Sequence, residues 1–233
     1  MELKRMKVLI MIAIVLISAS SSLADDNLAA SLGLKGLYVT SWKNTWDDGL
    51  IEHEFEAKDS VLMAGPSVKI IYGQFFSGLT FLTSLQDFNV EEAGFKVGDG
   101  NRRDLDFVLG YAPFSWLSVI CGYKQITAVS DQQSGSSASV DQGGPAIGIS
   151  LNYLIPNIKI SIYANAAYMY LDGQAWLQDT QADGFSYEGG MTYSPIQNLA
   201  LSLGYKGQIL DYDNDIAGKE ELGGITFAID YRF

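Results

Sequence analysis

The chain has 233 residues and a formal net charge of −12. Its acidic balance argues against nucleic acid as a partner, because phosphate binding requires a basic face. Charged residues make up 18% of the chain, against about 25% in ordinary soluble domains. With a single cysteine, Cys121, the chain cannot form an internal disulfide.

Residues 1–24 have the pattern of a secretory signal peptide. A basic start, "MELKRMK", precedes the apolar run Val8–Ile17 and small residues up to Ala24. This run is much shorter than the roughly 20 residues of a membrane-spanning helix, so a retained anchor is the less favoured alternative. We therefore expect cleavage after export through the inner membrane, and a single domain at 25–233.

Apolar and polar residues alternate from Leu32 to the end of the chain, which predicts strands with two unlike faces. Short connections alternate with long polar ones. The predicted strands lie at about 31–43, 59–72, 75–86, 104–112, 117–127, 146–154, 158–170, 185–194, 199–210 and 222–233. This plan predicts an all-β fold, a transmembrane antiparallel up-and-down β-barrel, most simply of ten strands, with eight or twelve as alternatives.

Two places do not fit regular strands. Pro66 lies inside the second strand, where a closed barrel needs every backbone donor, so we expect a β-bulge there. In the first strand, Leu37 and Val39 compete with Leu34, Tyr38 and Trp42 for the outer face. Cys121 falls on a predicted lipid-facing position and is interpreted as a small apolar side chain.

A tyrosine ends every second predicted strand, at nearly even intervals along the chain. In a barrel these rings would share one height, where the hydrocarbon meets the periplasm, and a phenol suits that depth. The predicted periplasmic-side aromatic girdle is Tyr72, Tyr111, Trp116, Tyr153, Tyr193 and Tyr231.

If the apolar faces meet lipid, the opposite faces deliver charged side chains to the lumen. The predicted lumen-facing charges are Lys69, Asp104, Asp106, Lys124, Lys159, Glu188, Lys206, Asp230 and Arg232, joined by Asn152, Asn165 and Gln208. Eight-stranded barrels are filled by side chains, whereas barrels of 16–18 strands leave a channel. Ten strands lie close to the filled limit, and opposite charges could pair across the interior. A filled lumen is therefore predicted, with a slim solute passage as the alternative.

The sequence resembles the small, porin-like outer-membrane β-barrel proteins of Gram-negative bacteria. The signal peptide, the amphipathic strands, the turn "GYAPFSWL" (Gly110–Leu117) and the ending "AIDYRF" (Ala228–Phe233) carry the resemblance. It implies an outer-membrane location and contact with membrane lipid and lipopolysaccharide. It also implies that Tyr231 and Phe233 form the signal read by the barrel-assembly machinery. No peptidoglycan-binding domain is expected.

Two motifs are candidates for a catalytic or metal-binding site. His53 is the single histidine, flanked by Glu52 and Glu54, and no Asp-x-His pair occurs, although omptin proteases, which are ten-stranded outer-membrane barrels, use an Asp–His pair near the rim. We therefore expect no catalytic residues and no cofactor.

The second motif is acidic. Asp211, Asp213 and Asp215 alternate as in calcium loops, but Ile216 and Leu222 occupy positions where an EF-hand needs glycine and glutamate. We expect at most weak divalent-ion binding there. The leading hypothesis is a non-enzymatic outer-membrane component, structural or interacting through its loops, and the alternative is a narrow channel for small solutes. Its oligomeric state is left open.

Overall fold

The structure is a computed structural model that describes residues 28–47, 52–132, 137–175, 178–213 and 217–233. The predicted signal peptide lies outside these residues. They form one antiparallel sheet of twelve strands: β1 (Leu28–Asp47), β2 (Glu52–Ala57), β3 (Val61–Tyr72), β4 (Phe75–Ser84), β5 (Phe88–Glu92), β6 (Phe95–Phe114), β7 (Leu117–Gln132), β8 (Ser137–Ile155), β9 (Ile160–Ala175), β10 (Gln178–Ile196), β11 (Leu199–Asp213) and β12 (Ala217–Arg232). Among the described residues, no helix is long and apolar enough to cross a membrane.

The sheet closes on itself because β12 pairs with β1, from Arg232 opposite Ser31 to Ala217 opposite Asp47. The closed ring runs β1–β3–β4–β6 and then through each following strand to β12. Where β3 and β4 end, β2 and β5 take their places between β1 and β6. The structure thus has twelve strands where the sequence predicts ten, although the ring itself contains ten.

The two ends of the barrel differ. One end carries the short turns that follow β3, β6, β8 and β10, and it also holds the start of β1 and the end of β12. A left-handed backbone at Gly73, with φ of +58°, makes the first of these turns tight. The opposite end, termed the long-strand end, extends well beyond the predicted strands, because β6 begins at Phe95 and β8 at Ser137. Continued ladder pairing satisfies the backbone groups that a polar loop would leave to water.

The first strand resolves the ambiguity in its pattern through a bulge. Leu37 and Val39 face the interior, where they are 0% and 3% exposed, while Leu34 and Tyr38 face outward. The pairing of β1 with β12 then shifts between Val39 and Ser41. A shift of one residue exchanges the two faces of a strand, which is why no single alternation fits this segment.

The predicted bulge at Pro66 is wrong. Pro66 pairs in regular register with Leu34 of β1, and the ladder to β4 skips Gly65 and Pro66 but resumes without a shift between Ala64 and Ser67. The ring nitrogen of proline donates no hydrogen bond, so the missing rungs on the β4 side accommodate it without an extra residue.

The outer face carries an apolar band between two rows of aromatic side chains. All six predicted girdle residues lie at the short-turn end and are exposed, from Tyr111 at 42% to Tyr153 at 62%. A second exposed row, which the sequence reading missed, lies nearer the long-strand end: Tyr38, Tyr123, Tyr168, Tyr187 and Tyr205. Beyond it the outward residues turn polar, with Gln125 and Thr127 bonded to Asp141. Cys121 is exposed within the apolar band.

Candidate functional site

The interior of the barrel holds ion pairs stacked in two layers. In the first layer, the Arg102 guanidinium donates to Asp104 Oδ1 and to Glu220 Oε1, each at 2.8 Å. All three side chains are at most 3% exposed. Gln208 donates to the same Glu220 oxygen at 3.3 Å. This layer links β6 to β11 and β12 across the interior, because the inward face of each strand delivers its side chains to one shared space.

The second layer lies one step nearer the short-turn end. Lys124 Nζ lies 2.8 Å from Asp106 Oδ1 and 3.3 Å from Asp104 Oδ2, so it joins the two layers. Lys206 donates to the other oxygen of Asp106 at 3.3 Å. Each carboxylate therefore meets a cation, which is the condition under which buried charge is tolerated.

A separate pair completes the second layer. Lys35 Nζ lies 2.7 Å from Glu188 Oε2 and 3.0 Å from Oε1, spanning from β1 to β10. Tyr163 and Thr226 donate to Glu188 Oε1 at 3.2 Å and 3.3 Å. The Glu188 carboxylate is thus held by donors from three strands, β1, β9 and β12.

Apolar side chains fill the interior beside and beyond the first layer. We call the following set the apolar seal: Leu37, Met63, Leu82, Ile126, Met169, Leu171 and Leu210. Each is 0–1% exposed. Phe55, Phe88 and Val90 continue this packing towards the long-strand end. The seal residues belong to two buried clusters, and interiors packed in this way leave few voids larger than a water molecule.

The half of the interior near the short turns is open. It contains a cavity of about 730 Å³, which we call the vestibule, bounded on the seal side by Asp106, Lys124 and Lys206. Serine, threonine and asparagine side chains make up much of its wall. Lys69 and Arg232 line it at the short-turn end and are themselves exposed, so the vestibule opens on that side.

The predicted lumen-facing residues divide into three groups. Asp104, Asp106, Lys124, Glu188, Lys206 and Gln208 lie in the ion-pair layers, and Lys69, Asn152, Asn165, Asp230 and Arg232 line the vestibule. Lys159 does not enter the lumen. It is exposed in the turn between β8 and β9, with φ of +54°, and its Nζ donates to the carbonyl of Pro195.

Three charged residues of the interior were missed from the sequence. Arg102 and Glu220 fell within segments predicted as loops, and Lys35 lay in the ambiguous first strand. Extending the alternation along each strand would have found them. Arg102 lies two residues from Asp104, and Lys35 two residues from Leu37, so each pair is on the same face of its strand.

At the long-strand end, His53 is tied into the sheet rather than facing the seal. Its Nδ1 lies 2.6 Å from Glu92 Oε1, and its ring stacks on Trp46 at a centroid distance of 4.6 Å. Glu92 was not predicted as its partner. Nearby, Lys58 contacts Glu91 at 2.5 Å, and this hydrogen bond raises the pKa of Lys58.

The acidic residues predicted as weak ion ligands do not come together in a metal site within the described part of the chain. Asp211 and Asp213 are exposed on β11, and Asp215 lies outside the described residues. Within the described ranges, no group of three histidine, cysteine, aspartate or glutamate side chains is arranged to hold a metal ion.

Comparison with solved structures shows what kind of barrel this is. The chain superimposes on the outer membrane protease OmpT from Escherichia coli with a TM-score of 0.59 at 13% identity, covering 90% of this chain and 98% of that one. Weaker similarity extends to an outer membrane channel from Pseudomonas putida F1 (TM-score 0.47, 11% identity, 88% and 96% coverage) and to Ail of Yersinia pestis (0.30, 13%, 88% and 98%). No protein-family model matches the sequence, and no curated protein matches it. The closed antiparallel ring and the similarity to OmpT show that the chain has the fold of an outer-membrane β-barrel.

Proposed function

We propose that the protein is an integral outer-membrane barrel that conducts no solute and acts as a structural component, or through interactions of its long-strand end. The apolar seal is the observation that carries this proposal. A continuous path would have to pass between the two buried clusters that contain the seal, whose side chains are 0–1% exposed. Hydrating such a path means exposing close-packed apolar surface, at about 25 cal/mol per Å².

Membrane insertion is supported by the outer face. An apolar band bounded by two aromatic rows is the pattern of transmembrane barrels, in which the rings lie at the two interfaces. The short-turn end would then face the periplasm and the long-strand end the exterior. Outer-membrane lipid and lipopolysaccharide would contact the band, and Tyr231 and Phe233 would serve the assembly machinery.

The long-strand end offers a charged surface for partners. Lys43 pairs with Glu54, Lys96 with Asp99, and Lys219 with Glu221, all on exposed positions. Hydrogen bonding to Glu221 raises the pKa of Lys219, and the same bond lowers the pKa of Glu221. Exposed pairs of this kind contribute little to stability, so a binding partner can replace them at small cost.

A conductance measurement tests the proposal. Purified protein inserted into planar lipid bilayers is expected to give no discrete current steps, because the seal blocks ions at every position across the interior. An open porin prepared in the same way is the positive control. Reproducible steps from this protein would contradict the sealed interior and favour the narrow channel.

The likeness to OmpT concerns the fold alone, and we propose that His53 has a structural role. Its Glu92 and Trp46 contacts bind β2 to β5 and β1. His53→Ala should leave every hydrolytic activity of the purified protein unchanged. A peptidase or esterase activity that disappears with this substitution would instead establish a rim enzyme.

A further inference from the structure

Two cations face each other at the open end of the vestibule. Ser31 of β1 pairs with Lys69 of β3 on one side and with Arg232 of β12 on the other, so the three residues form one row across adjacent strands. Directly opposite residues of antiparallel strands have Cα atoms about 4.5–5.5 Å apart, which puts Lys69 and Arg232 about 10 Å apart. All three line the vestibule. Both long side chains can therefore reach one group held above the small Ser31.

The charges deeper in the barrel are already balanced. Lys35, Arg102, Lys124 and Lys206 meet Asp104, Asp106, Glu188 and Glu220 in the ion-pair layers. Within the described part of the chain, Lys69 and Arg232 form no salt bridge, and Asp230 is the one vestibule carboxylate left near them. The side chains that line the open end thus carry one positive charge in excess, in a protein whose net charge is −12.

Asp230 has a hydrogen-bond donor of its own in the wall of the vestibule. The Asp230 carboxylate accepts from Ser67 Oγ at 3.2 Å, across Gly33 of the intervening strand. A Cβ on Gly33 would lie 2.1 Å from Asp230 Oδ1, so glycine is required for this contact. Lys69 Nζ instead lies 4.9 Å from the centroid of the Phe76 ring, a cation–π contact that holds it at the wall.

We propose that Lys69 and Arg232 form a binding site for a small soluble oxyanion, a phosphate or carboxylate group, that enters the vestibule from the short-turn side. Guanidinium and ammonium groups are the usual ligands of both oxyanions, and the guanidinium can bind two oxygens at once. A cavity of about 730 Å³ is within the range of small-molecule sites, so a larger molecule carrying such a group would fit. The site lies on the open side of the seal and does not depend on conduction.

Titration of the folded protein with inorganic phosphate, and separately with acetate, tests this site in maltoside micelles free of phospholipid. Binding is followed by calorimetry and by the amide chemical shift of Ser31. The double substitution Lys69→Gln, Arg232→Gln should weaken binding by about a hundredfold, since each lost charged hydrogen bond is expected to weaken it by about tenfold. Added sodium chloride should weaken it as well. The two titrations also distinguish phosphate from carboxylate.

Lys159→Gln is the matched control, because it removes a cation from the same end of the molecule but outside the vestibule. It should leave binding unchanged. Ser31→Glu is a second test should the double variant not fold: a tethered carboxylate between the cations should abolish binding. Absence of saturable binding by the native protein, or equal affinity in native and Ser31→Glu proteins, would overturn the proposal.

Discussion

Arg102 shows how one residue organises the interior. Its guanidinium meets Asp104 and Glu220, which are 1% and 2% exposed, and no water layer screens either contact. The sequence reading identified Asp104 from its place in an alternating strand. It assigned Arg102 and Glu220 to loops, because their segments are polar and alternation alone does not show how far a strand continues.

Substitution of Arg102 by methionine should be strongly destabilising. It leaves two buried carboxylates without their shared cation, and breaking a buried ion pair from one side costs about 3–5 kcal/mol. Urea unfolding of the refolded protein in micelles would measure the loss in the free energy of unfolding. Lys43 is exposed and pairs with Glu54 at the surface, so Lys43→Met serves as the control, with a change of about 1 kcal/mol or less. Equal effects of the two substitutions would refute the central role of the buried pair.

At the scale of elements, β2 and β5 are the least extensively paired strands of the sheet. They have six and five residues, and they pair with each other only from Phe55 to Ala57 among the described residues. His53 and Glu92 add a side-chain link between them. Short strands with few rungs open more readily than the long strands of the ring.

Glu92→Gln should loosen these two strands without disturbing the rest. Loss of the charged partner of His53 is expected to raise amide hydrogen exchange in β2 and β5 by about tenfold. Exchange in β3 and β4 should stay as it is. Glu54→Gln, which removes from β2 the exposed partner of Lys43 of β1, is the control. Unchanged exchange in β2 after Glu92→Gln would show that the histidine contact contributes nothing to the sheet.

At the scale of the whole molecule, a soluble barrel has a polar outer face and an apolar interior. Over part of the length of this barrel the arrangement is reversed, with apolar side chains outside and charged side chains inside. Trp116 is 52% exposed in the aromatic row at the short-turn end, whereas Trp42 packs against the buried core at the long-strand end. If lipid surrounds the apolar band, the two indoles lie in different surroundings. Their depth in a membrane therefore reports how the molecule is placed.

Fluorescence quenching would measure this placement. In vesicles with brominated acyl chains, a variant that retains Trp116 alone, with the other tryptophans changed to phenylalanine, should be quenched strongly. The matching variant that retains Trp42 alone should be quenched little, because its ring faces the interior beyond the band. Similar quenching of both would be inconsistent with the proposed membrane position.

The sequence by itself determined the antiparallel barrel, because one residue in two must face each side of a strand and this period is written directly in the chain. The regular tyrosines likewise marked one edge of the apolar band. Only the tertiary structure decided which inward side chains are buried together towards the long-strand end and which line the cavity near the short turns. That division depends on which inward side chains meet across the ring, such as Lys35 with Glu188 or Arg102 with Glu220, and residues so far apart in sequence are brought together only by closure of the sheet. The short strands β2 and β5, which lie in segments predicted as loops, and the bulge after Val39 were likewise seen only in the pairing of the sheet.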